Sequence, residues 1–164
     1  MSAKTAMYTL AACLVVASAA AMTTTRSWFE AYTSGARTVA LRGTASYGNV
    51  AGGASGPFVV TLGADAPDGA VLFTRTDGRP LTPGTYRLGE DPAGELQGLV
   101  VTGPATRPTG AYRAQSGTLT IGSARDGLLD GYFTIEAVGF DAESPADDRR
   151  ELHVHGAFTA APGY

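Results

Sequence analysis

The two histidines of the chain, His153 and His155, stand as His-x-His near its C-terminal end. On an extended strand alternate side chains share a face, so both imidazoles point the same way, as zinc ligands do. The lone cysteine, Cys13, lies far upstream in an apolar stretch. A third ligand would therefore come from Asp or Glu, and none is fixed by spacing. Exposed strand histidines are the expectation, with His153 and His155 kept as a weak metal candidate.

A second group of chemically capable residues is Asp141, Glu143, Asp147 and Asp148. Oxygen ligands suit calcium, but the spacing departs from the EF-hand loop and Arg149 and Arg150 offset the charge. A solvated loop with local ion pairs is expected. Ser55 sits in Gly52-Gly53-Ala54-Ser55-Gly56 without the strand–turn–helix context of a serine nucleophile. Phosphate-binding glycine motifs are missing, and no carboxylate pair is singled out for glycoside hydrolysis. Seven tyrosines and six phenylalanines are scattered along the chain. A carbohydrate-binding face would use exposed aromatics, for which Tyr112 and Tyr132 are the candidates, against core packing as the plainer role.

The elements that position these residues read as strands. Alternation of apolar and polar residues marks 38–45, 58–62, 71–75, 85–88, 99–102, 111–114, 117–121, 131–140 and 152–160. The pattern turns Leu119, Ile121, Phe133, Ile135, Ala137, Leu152, Val154, Phe158 and Ala160 inward and the histidines outward. Twenty-two glycines and nine prolines punctuate the chain at short intervals. An antiparallel β-sandwich or flattened barrel of eight to nine strands is expected. Gly131-Tyr132-Phe133-Thr134 is echoed by Gly156-Ala157-Phe158-Thr159, read as two similar strands in which glycine relieves crowding beside an aromatic ring.

Composition narrows the function classes. A net charge of −3, with 16% charged residues and a single lysine, Lys4, leaves no basic patch for a phosphate backbone, so no nucleic-acid partner is expected. With its only cysteine in the apolar stretch, the β region has no disulfide and no thiolate metal site. No cofactor is expected, and neither is catalysis.

The remaining signal is the uncharged stretch Thr5–Met22. Lys4 and Ala17-Ser18-Ala19 suit a cleaved signal peptide. Leu10-Ala11-Ala12-Cys13 matches the lipobox of bacterial lipoproteins, with Cys13 as the lipidation site. Retained as a helix, eighteen residues reach about 27 Å, close to the hydrocarbon thickness of a bilayer. Cys13, Ala17 and Ala21 then form a small-residue stripe for helix packing, and Trp28, Phe29 and Tyr32 an interfacial aromatic belt. The expected organisation is a hydrophobic segment over 1–32, helical to about Tyr32, and an extracytoplasmic, periplasmic β domain over 33–164.

With little chemistry downstream, the leading functional expectation is a non-catalytic accessory subunit of a bacterial membrane complex of the photosynthetic reaction-centre/antenna or respiratory type. Its partners would be other membrane subunits and lipid. The alternative is a secreted or lipid-anchored envelope module for glycan binding or surface adhesion. A small envelope metal enzyme built on His153 and His155 stands third.

Overall fold

The computed structural model describes residues 27–50, 56–89, 96–142 and 149–163. Ten strands account for most of them: β1 Trp28–Gly35, β2 Ala40–Gly43, β3 Ala45–Asn49, β4 Phe58–Leu62, β5 Gly69–Arg75, β6 Gly84–Gly89, β7 Gln97–Thr102, β8 Gly110–Arg125, β9 Leu128–Asp141 and β10 Arg150–Pro162. Hydrogen-bonded neighbours run β10-β3-β4-β5-β7-β8-β9 and back to β10, so seven strands close into a barrel. Within the ring the pairs are antiparallel except the closing one, where Ala161 and Pro162 of β10 run parallel to Ser46 and Tyr47 of β3. The fold is thus a closed barrel with three added strands, rather than an open sandwich.

The added strands exist because β8 and β10 are longer than the ring needs. β7 pairs with Gly110–Arg113 of β8, and β6 takes the same edge over Ser116–Ile121. On β10, β1 pairs with residues 152–159, and β2 extends the sheet from β1. Two irregularities in the β8–β9 ladder, at Ala114/Ser116 and Ile121/Ser123, bend the long hairpin. Its turn is Asp126-Gly127, both at positive φ (54° and 74°), the conformation of a tight primed hairpin turn.

Strand alternation packs the interior. Phe29, Phe73, Tyr112, Phe133 and Phe158 are buried with Leu41, Leu62, Leu119, Ile121, Ile135 and Leu152. Phe73 on β5 meets Phe133 on β9 edge-on, with centroids 5.2 Å apart across the barrel. The inward residues expected on 117–121, 131–140 and 152–160 are all core.

Three expectations are corrected. The stretch 38–45 is two strands, β2 and β3, divided at Thr44, while 111–114 and 117–121 belong to the single strand β8. Residues 28–35 are strand β1, so a helix continuing to Tyr32 is excluded and the folded unit begins ahead of residue 33. The cause is pairing: β3 takes β10 only at Ala161 and Pro162, leaving the edge over residues 152–159 open, and eight register partners from Trp28 to Gly35 fill it. Among the described residues no helix is long and apolar enough to cross a membrane. Thr5–Met22, with Cys13, Ala17 and Ala21, lies outside the described residues, as do Ser55, Glu143, Asp147 and Asp148.

Candidate functional site

The outer wall carries the side chains available to a ligand or partner, and the bulges of β8 divide it into two kinds of surface. The first lies over β1, β10, β9 and the upper part of β8. His153 and His155 project from β10 and are exposed, as their alternation requires. His155 faces Tyr32 on β1 in the register, and the rings stack with centroids 5.7 Å apart. Tyr32 in turn donates to Glu30, which also accepts from Arg42 Nε at 2.9 Å and Nη2 at 2.6 Å. The Tyr32 hydroxyl and then the Arg42 guanidinium hold the Glu30 carboxyl below its usual range. His153 faces Glu136, whose carboxylate accepts from Ser116 at 2.6 Å. Among the described residues no three His, Cys, Asp or Glu side chains are grouped to hold a metal ion.

At the far end of the same face, Trp28, Thr159, Asp130 and Ser123 follow one another across β1, β10, β9 and β8. Thr159 donates to Asp130 Oδ1 at 2.6 Å and Ser123 to Oδ2 at 2.7 Å. These two hydroxyls, Thr159 first, lower the Asp130 pKa. Tyr132 stands in the next row beside Ala157. Together with Gly122, Gly131 and Phe158 these residues line a shallow groove of about 340 Å³. Trp28 is 45% and Tyr132 59% exposed.

The second surface covers β5, β7, the lower part of β8, and the end of β9. One outward row reads Leu72, Leu99, Arg113, Val138, and the next Ala70, Val101, Ala111, Phe140. Leu99 and Phe140 are exposed, and Arg149 lies 5.9 Å over the Phe140 ring. Two depressions flank the rows, one bounded by Leu99, Val138, Phe140 and Arg149, the other by Leu72, Val101, Ala66 and Pro108.

Several expected site residues are reassigned by these positions. Tyr112 is fully buried in the barrel and is no surface aromatic, whereas Tyr132 is. Alternation along β8 puts Tyr112 on the inner face with Gly110 and Ala114. Of the expected interfacial trio, Trp28 and Tyr32 point outward, but Phe29 is core on the opposite face of β1. Asp141, expected in a solvated loop, ends β9 and is buried, paired with Arg37 Nε at 2.8 Å. Sequence reasoning missed Ser123, Asp130 and Thr159, which converge from three strands, and the rows around Leu99 and Phe140. Thr159, Leu99 and Phe140 lay on strands already recognised, whereas Ser123 and Asp130 fall just outside the expected 117–121 and 131–140, in the parts of β8 and β9 that the expected strands did not reach.

No family model matches the chain, and no curated protein or solved structure shows significant similarity to it.

Proposed function

We propose that the chain is a non-catalytic accessory subunit of a bacterial membrane protein complex, with the barrel on the extracytoplasmic side and Thr5–Met22 as its single-span membrane anchor. Its main support is the apolar outer surface over β5, β7, β8 and β9. Four strands at about 4.8 Å spacing make a strip roughly 15 Å wide, the scale of the apolar centre of a protein–protein interface. Exposed apolar side chains gathered in this way mark interaction surfaces, and here Arg113 interrupts the row between Leu99 and Val138. Arg149 at the edge of the strip favours a partner whose apolar contact is rimmed by carboxylates.

Native purification from membranes tests the proposal. The full-length chain is expected to co-migrate with larger subunits, and Leu99→Asp with Phe140→Asp to release it while the barrel stays folded. Co-eluting chlorophyll or haem absorbance would distinguish the photosynthetic from the respiratory setting. A free species whose N-terminus begins near residue 20, or a double variant still retained in the complex, would defeat it.

A secreted or lipid-anchored envelope module is the second reading, and its support is the groove between Trp28 and Tyr132.

A further inference from the structure

We infer that the groove bounded by Trp28, Asp130 and Tyr132 is a binding site for a neutral oligosaccharide. The inference does not depend on the accessory-subunit proposal, since the groove and the apolar rows use different stretches of β8 and β9.

The chemistry of the groove specifies what it can accept. Thr159 and Ser123 each spend their one hydroxyl proton on Asp130. Their oxygens then offer only lone pairs, and a carboxylate has about four acceptor sites, of which two are used. The polar side of the groove is therefore an array of acceptors, complementary to a ligand rich in hydroxyl donors. The low pKa of Asp130 keeps that array anionic at neutral pH. The apolar side is two aromatic rings, with only the small side chains of Ala157 and Thr159 on the intervening strand between them. Sugar rings combine these needs, with C–H faces for the aromatics and hydroxyls for the acceptors.

Geometry sets the ligand's length. Trp28 and Tyr132 stand on strands separated by β10 and are offset by one outward position. Their Cα atoms are thus about 12 Å apart on sheet geometry. One ligand touching both rings must be extended, an oligosaccharide rather than a single sugar. An organic cation suits the groove less well. Cation–π attraction is weak where the cation stays solvated, and this groove is open to solvent.

Trp28 is the only tryptophan, so its fluorescence reports on the groove directly. The full-length protein would be titrated with cellohexaose, chitohexaose and maltohexaose, and separately with tetramethylammonium chloride. At least one sugar is expected to shift Trp28 emission saturably, with a Kd on the order of 1 mM or tighter. Tyr132→Ala and Asp130→Asn should each weaken that binding about tenfold or more. Trp28→Ala, followed by calorimetry, should abolish it. All three variants should keep the wild-type circular dichroism spectrum, because Trp28 and Tyr132 are exposed and asparagine preserves the shape of Asp130. The inference is overturned if no sugar moves the emission, if the variants bind like wild type, or if only the ammonium salt perturbs Trp28.

Discussion

Tyr112 is the residue at which burial and chemistry conflict most. Its ring fills the barrel, yet among the described residues its buried hydroxyl oxygen has no partner in hydrogen-bonding geometry. Burial, and then the nearby Asp141 carboxylate, push its pKa from 10.0 up to about 12. The neutral phenol is therefore the form that the fold favours. Below pH 10 both folded and unfolded chains hold the proton. Between pH 10 and about 12 the unfolded chain loses it first, so this group's contribution to stability declines as pH rises. Tyr112→Phe keeps the ring and removes the unpaired oxygen. At neutral pH it should leave stability unchanged or raise it by up to about 1 kcal/mol. In urea denaturation it should also flatten the decline between pH 10 and 12; a loss of about 2 kcal/mol at pH 7 would mean that the hydroxyl is bonded. The histidines show the other side of residue-scale legibility. Their exposure follows from alternation alone, but Tyr32 beside His155 and Glu136 beside His153 come from the neighbouring strands that the register brings alongside.

At the scale of elements, the paired Gly-x-Phe-Thr segments have a mutual purpose. In the β9–β10 ladder Gly131 lies opposite Phe158, and Gly156 opposite Phe133. Each glycine makes room for the other strand's ring. A Cβ on Gly131 would come within 2.8 Å of Phe158 Cζ, and one on Gly156 within 2.8 Å of Phe133 Cζ, with backbone oxygens at 2.6 Å in both cases. Gly131→Ala and Gly156→Ala should each cost about 1–3 kcal/mol through overpacking. The cost should exceed that of a Gly→Ala change at Gly122, where the nearest atom is 3.9 Å away. Equal unfolding midpoints for Gly156→Ala and Gly122→Ala would contradict the reciprocal packing. The sequence showed the echo and its chemical sense, but only the register made it reciprocal. Strand β1 was hidden for a related reason. Trp28 to Gly35 follows an apolar segment and can read as its continuation, whereas pairing with β10 makes it a strand.

At the scale of the whole molecule, closure of the barrel rests on a short seam. Ala161 and Pro162 pair with Ser46 and Tyr47, Gly163 N donates to Tyr47 O at 2.7 Å, and the Tyr47 hydroxyl donates to Gly127 O at 2.9 Å in the β8–β9 turn. Deleting residues 161–164 removes the C-terminal half of this seam while leaving β1, β9 and residues 152–160 paired. At about 1 kcal/mol per lost hydrogen bond, the deletion should lower stability by roughly 2–3 kcal/mol. Amide exchange should quicken first in β3 and β4, and an unchanged denaturation midpoint would show that the ring stands without its seam. By itself the sequence determined an all-β chain, the inward phase of its strands and the exposure of His153 and His155, because side-chain alternation is a local property of extended backbone. Which strands become neighbours was decided only in the tertiary structure. Closure through β3, the burial of Tyr112 beside Asp141 and Arg37, and the meeting of Trp28, Asp130 and Tyr132 all depend on pairings between distant segments. Alternation tells a strand which face to bury but not whose edge to join.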